Sequence, residues 1–258
     1  MCYDTAQLAY RIYKEAKRLN ASDVEVDALY KKWKLLDGPS MNYYHASGFN
    51  HPNLVAFIRE KAKIILDVFN WGLVPHWIKN ESDAKAISDR TLLARVEEIE
   101  DKPSYREAVK RRRCILPLDG FYEHYHKNNK TYPFYITAKD KRRLLIAGIT
   151  SDWRHPQFNM IFKSVSIVTT RANDFMKTIH NNPKISEARM PLIVQENQVD
   201  QWINDDSVEF LDVLRVKSGL DLKAVTVNQL RGRNCLGNIK EVQMEKMYPE
   251  LIDPLELF

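Results

Sequence analysis

Between Arg113 and Glu123 the chain reads R-C-I-L-P-L-D-G-F-Y-E, and this stretch limits the fold more than any other. Cys114–Leu118 is almost wholly apolar, Asp119-Gly120 forces a turn, and two aromatics lead straight to a carboxylate. An apolar run of about 4–8 residues closed by Asp-Gly predicts a buried strand entering a tight turn. Glu123, directly after Phe121 and Tyr122, is then one of two things. It is a surface residue just past a hairpin, or a carboxylate held in low dielectric and suited to general acid–base work.

A chain of 258 residues can bury such a strand in one large domain or two small ones. No apolar run approaches the roughly 20 residues of a membrane-spanning helix. Asp4, Lys14 and Lys17 interrupt any signal-like pattern at the N-terminus, so a cytoplasmic protein without membrane association is expected. Three cysteines, Cys2, Cys114 and Cys235, form no C-x-x-C pair. That argues against a disulfide framework and a zinc site, and no metal or cofactor is expected. Cys114 lies in the apolar run and reads as an inert core thiol. The formal net charge of +5 permits a polyanionic partner without requiring one.

Taken in order, Asp4 with Gln7 three residues later predicts a capped helix running to about Leu19. A second helix follows to about Leu36, then a turn at Asp37–Ser40. Tyr43–Pro52 reads as an ordered loop before a short strand at Leu54–Ile58. Ile64–Val68 is β-rich and enters W-G-L-V-P-H-W, a rigid aromatic turn that plugs a core or offers Trp77 to a base. Lys102–Arg113 predicts a basic amphipathic helix whose charges suit its C-terminus. Lys127–Lys130 is a hairpin loop. Tyr132–Ile136, Leu144–Ile149, Ser164–Thr170, Arg189–Val194 and Leu222–Val227 are strands rich in β-branched and aromatic residues. Helices start near Asn173 and at Val199, and His180 falls in a loop. Many strands without regular βαβ alternation predict a single α+β domain on a mixed, curved sheet.

Met1-Cys2, W-G-L-V-P-x-W, A-R-x-E-x-I-x-x-K-P-S-Y-R, R-R-C-I-L-P-L-D-G-F-Y-E, A-G-I-T, S-I-V-T-T-R-A-N and R-M-P occur in this order. With them the chain resembles the SOS response-associated peptidase (SRAP) family, sensors of abasic sites in single-stranded DNA. The resemblance is best over residues 71–194 and implies one SRAP-like domain over 1–258, its sheet barrel-like and flanked by helices. It implies that Met1 is removed and that Cys2 presents an amine and a thiol, which together close a thiazolidine on the aldehyde of an abasic deoxyribose. Glu123 matches the family's catalytic carboxylate, and His180 its proton-shuttling histidine. Eight residues, Asn181–Ala188, separate His180 from Arg189, more than the family usually has. Arg95 and Arg189 match arginines that hold DNA phosphates, a task for which the guanidinium fork is suited. Trp77 and Thr170 complete the expected DNA contacts. Leu93 departs from the pattern: the family normally has an asparagine two residues before this arginine.

Three functions follow from these residues. The first is covalent capture of abasic sites by a monomer that joins the nucleoid when bound to DNA. The second is a thiol peptidase built on Cys2, His180 and Glu123. The third is a passive single-strand binder whose site has decayed through Leu93.

Overall fold

The computed structural model describes residues 3–36, 41–61, 63–204 and 221–251. The strands of its first half are β1 (Asp4–Leu8), β2 (Asn42–Ser47), β3 (Asn53–Glu60), β4 (Lys63–Trp71), β5 (Leu93–Arg95) and β6 (Arg113–Leu118). Those of the second half are β7 (Gly120–Lys127), β8 (Lys130–Ala138), β9 (Leu144–Arg154), β10 (Ile161–Arg171), β11 (Arg189–Pro191) and β12 (Leu222–Thr226). The helices are α1 (Asp23–Leu35), α2 (Glu81–Ser88), α3 (Arg106–Arg111), α4 (Asp174–Ile179) and α5 (Val199–Asn204).

Strands β10, β4, β3, β6 and β9 pair in that order, and β9 pairs back onto β10, closing a barrel. The β10–β4 pairing is parallel and the others antiparallel, so the sheet is mixed, as expected. A second sheet, ordered β12-β8-β7-β1-β2, lies beside it. Apolar residues on successive positions of β6 serve different cores. Cys114, Leu116 and Leu118 pack with Phe121 and Ile136 of the second sheet, whereas Ile115 packs with Ile12, Trp33 and Trp202. Burial pushes the Cys114 thiol far up, consistent with an unreactive core sulfur. Among the described residues no helix is long and apolar enough to cross a membrane.

Three local expectations differ from the structure. The helix expected from Asp4 is instead β1, which pairs with Phe121 and Tyr122 of β7 and with β2. Burial of Asp4–Gln7 between neighbouring strands outweighs a capping pattern worth about 1 kcal/mol. After Arg11 takes a left-handed conformation, Ile12–Leu19 forms 3-10 turns that bury Ile12, Ala16 and Leu19. The loop expected at Tyr43–Pro52 is mostly β2, followed by a 3-10 turn at Gly48–Asn50. The basic helix covers only Arg106–Arg111, because Pro103 disfavours helix at the residue before it. Arg113 instead opens β6, buried with its guanidinium over Trp202.

Asp119-Gly120 makes the expected tight turn after a buried strand, but it joins two sheets rather than a hairpin: β6 belongs to the barrel and β7 to the second sheet. A Cβ at Gly120 would lie 2.5 Å from the Ile136 carbonyl, so only glycine lets β7 start there. Asp119 anchors the crossing by accepting the Leu8 N–H at 2.6 Å. The turn expected at Asp37–Ser40 lies outside the described residues.

Candidate functional site

Glu123 is the fourth residue of β7, almost fully buried and paired across the sheet with Phe134. Its neighbour in the site comes from a different part of the chain. Asn173 caps α4 by accepting the Met176 N–H, and seven residues later the helix ends at its C-cap, His180. The loop Asn181–Ala188 then returns the chain to Arg189, whose carbonyl accepts a hydrogen bond from His180 Nδ1 at 2.8 Å. The Arg189 N–H points at the same nitrogen at 3.2 Å. One nitrogen cannot serve both, and the shorter contact assigns the proton to Nδ1. Glu123 Oε2 lies 3.4 Å from this Nδ1.

The two groups open onto a cavity of about 640 Å³ whose walls include Tyr3, Asp4, Phe49, His124, His126 and Arg231. The long His180–Arg189 spacing is used here: Asn181 exchanges two hydrogen bonds with the His126 main chain, and Asn182 and Ile185 line the cavity. Burial holds His124 and His126 below the ordinary histidine range, even though Asp4 and Glu123 act on His124 in the opposite sense. Burial alone would raise the Asp4 carboxyl. The His45 hydrogen bond at 3.0 Å and the Arg231 charge at 2.6 Å outweigh it and hold Asp4 below the usual carboxylate value. Cys2 lies outside the described residues; its successor Tyr3 lines this cavity and packs against Phe49, ring centroids 4.8 Å apart and planes tilted by 44°.

Tyr3 also lines a second, smaller cavity of about 120 Å³, where Leu93, Arg95 and Arg189 come together. Arg95 is half exposed and only loosely paired with Glu98 at 3.4 Å. Arg189 is buried and deeply engaged, with Glu97 at 2.6 Å, Glu187 at 2.9 Å and the Thr169 carbonyl at 3.0 Å. Leu93 presents an apolar side chain while its carbonyl accepts from the Tyr105 hydroxyl at 3.1 Å. Thr169 rather than Thr170 lines this cavity. Thr170 is buried on β10 opposite Met190. Trp77 is 46% exposed and lines neither cavity, whereas Trp71 is buried and donates to the Leu92 carbonyl at 2.8 Å.

Sequence reasoning missed Asp4, Phe49, His124, His126 and Arg231. Asp4 was masked by its capping pattern, and Arg231 meets it across 227 positions, which no local pattern reports.

Known proteins resemble the chain throughout these elements. It is 30% identical over 193 residues to the abasic site processing protein YoqW of Bacillus subtilis, covering 72% of this chain and 81% of that one. It is 32% identical to YoaM of the same organism, another abasic site processing protein, covering 69% and 75%. The abasic site processing protein HMCES of Xenopus tropicalis is 27% identical, but this chain spans only half its length. A crystal structure of a protein from Bacteroides thetaiotaomicron superposes with a TM-score of 0.77 at 25% identity, covering 95% of this chain and all of that one. Residues 9–232 match the family described as SOS response associated peptidase (SRAP), and the chain belongs to that family.

Proposed function

We propose that this protein processes abasic sites in single-stranded DNA, forming a covalent thiazolidine through Cys2 once Met1 has been removed. The observation that carries the reading is the meeting of buried Glu123 and His180 in a cavity that Tyr3, the residue after Cys2, also lines. An abasic deoxyribose opens to an aldehyde. The Cys2 amine adds to its carbon, water leaves to give an imine, and Sγ adds to the same carbon as the nitrogen takes a proton. The balance is one aldehyde and one aminothiol giving one thiazolidine and one water. Glu123 is suited to protonate the sugar ring oxygen and the departing hydroxyl, and His180 to move protons at the sugar.

Arg95, half exposed beside the smaller cavity, is the side chain suited to a phosphate on any sequence. Arg189, already held by two carboxylates, acts chiefly by fixing the main chain that orients His180. Leu93 offers that cavity no hydrogen bond, which favours a slower reaction than an amide at this position would allow. The protein is read as a monomer that meets DNA in the cytoplasm and stays with the nucleoid when bound.

The test is a denaturing gel with a uracil-containing single strand treated with uracil glycosylase. A slow band with wild type, absent with Cys2→Ser while single-strand affinity is retained, is the expected result. A heat-stable adduct of normal yield from Cys2→Ser rules out the thiazolidine. Binding without any adduct from wild type means a passive binder.

A further inference from the structure

Closing a thiazolidine moves one proton that Glu123 and His180 do not carry: the one on Cys2 Sγ. A thiol with an ordinary pKa of about 8.5 is mostly protonated at neutral pH, and the thiolate is the nucleophile. Successive side chains of β7 point to opposite faces, so Glu123 meets His180 on one side while His124 shares the other with Tyr122. Strand β1 covers this edge of β7 from Gly120 to Tyr122, and the cavity beyond that pairing has Tyr3, Glu123 and His124 together in its walls. Asp4 pairs with Tyr122 in an antiparallel register. Cys2 comes two residues before Asp4, and His124 two after Tyr122. The rings of His45, His51, His155 and His180 each have a nitrogen engaged by a neighbour. His124 differs: among the described residues its ring nitrogens have no hydrogen-bond partner, and neither is sealed from solvent. Asp4 and Glu123 favour its cation and Arg231 opposes it, but burial is the larger influence and keeps the ring in its neutral, basic form. The Asp4 charge is felt chiefly here rather than at His126, the next residue on this face.

We infer that His124 is the general base that takes the proton from Cys2 Sγ as the sulfur closes the ring. The inference rests on the thiazolidine reading and completes its proton balance. As Sγ adds to the imine carbon, its proton passes to the unprotonated ring nitrogen of His124. The imine nitrogen gains the electron pair of the C=N bond and takes the same proton back from the imidazolium. One S–C bond forms, C=N becomes C–N, an S–H is exchanged for an N–H, and His124 ends neutral. A neutral imidazole is the side chain suited to this exchange near pH 7. Acid and base work are thereby divided between the two faces of one strand: Glu123 with His180 acts on the sugar oxygens, and His124 on the sulfur.

The test runs two single-turnover reactions in parallel at pH 7, with the full-length protein and a single strand made abasic by uracil glycosylase. Without reductant, a denaturing gel reports the closed thiazolidine. With sodium cyanoborohydride it also captures the open imine, which hydride reduces to a stable secondary amine. His124→Gln should lower the first rate by about a hundredfold or more, the worth of a general base, and leave imine capture at the wild-type rate. A displaced or unfolded site lowers both rates, so the split between them separates proton transfer from support of the fold. Equal lowering of both assigns His124 a structural role, and no lowering of the first leaves the sulfur to another base; either result overturns the inference. So does the same split in His126→Gln with none in His124→Gln. Wild type itself tells the two readings apart. An imine captured by reductant with no adduct in its absence refutes the thiazolidine, whereas a wild-type thiazolidine that His124→Gln forms at full rate refutes only the base.

Discussion

Gln7→Met replaces one buried amide with an apolar side chain of similar length, and the structure says what is lost. Val55 of β3 faces Pro117 of β6, two positions beyond the Phe57↔Ile115 pair where their ladder stops. Proline has no N–H, so the ladder cannot continue there. The Gln7 amide fills the gap, donating to the Val55 carbonyl at 2.9 Å and the Pro117 carbonyl at 3.2 Å and accepting the Val55 N–H at 2.7 Å. It thereby ties β1 to the barrel. Methionine leaves three buried main-chain groups without this partner, at about 1–3 kcal/mol each. The two carbonyls keep a second lone pair, which holds the total near the lower end, about 3–5 kcal/mol. In a chain of this size that lowers Tm by roughly 10 °C. The assay is thermal unfolding by circular dichroism alongside urea unfolding, with the m-value unchanged and only the midpoint moved. A Tm within about 2 °C of wild type would show that the amide is not the tie between the two sheets.

Leu93→Asn should raise the single-turnover adduct rate by roughly tenfold if an amide there hydrogen-bonds the sugar in the transition state; an equal or slower rate in a folded protein means another group fills the role. Arg95→Ala should weaken binding to all single strands alike and reduce the salt slope by about 0.7. Arg189→Ala should instead lower stability by about 1–3 kcal/mol, chiefly because the buried Thr169 carbonyl loses its donor while Glu97 and Glu187, both partly solvated, lose their shared cation. Similar salt slopes and unchanged melting for both variants would refute this division. Because burial lowers the folded-state pKa of His124, the unfolded chain takes up the proton first as pH falls. The stability this burial contributes is complete above the ordinary histidine value of 6.5 and is lost as pH falls through the folded pKa. His124→Gln should therefore flatten the acid limb of a stability–pH curve, and an unchanged limb in that variant would assign the proton uptake elsewhere.

The elements legible in the sequence are those whose signals are local. The apolar run of β6, the β-branched and aromatic composition of β8 to β10 and the Asn173 cap of α4 needed no distant partner to be read. Glu123 stood out for the same reason, since the turn and aromatics that bury it are adjacent to it. What failed were the positions decided by neighbours far along the chain. Asp4 and Gln7 carry a good helix-start pattern, and only pairing with Tyr122 and bonding to Val55 and Pro117 make them strand. Arg189 matches a phosphate-holding arginine, and its pairing with Glu97, 92 positions away, is not visible by inspection. Thr170 and Thr169 differ by one step of a strand alternation, enough to move a side chain off the cavity wall.

The Asp4–Arg231 contact also sets a schedule for assembly. Its partners are 227 residues apart, and β1 itself cannot pair with β7 until residues beyond 120 are made. At synthesis rates of about 5–20 residues per second, Arg231 follows Asp4 from the ribosome by roughly 10–45 s. For much of that interval the second sheet lacks its last strand, β12, and Asp4 lacks its cation. High contact order of this kind slows folding. Here it delays completion of the cavity until both ends of the polypeptide are present, so a prematurely terminated chain lacks the wall that Arg231 supplies.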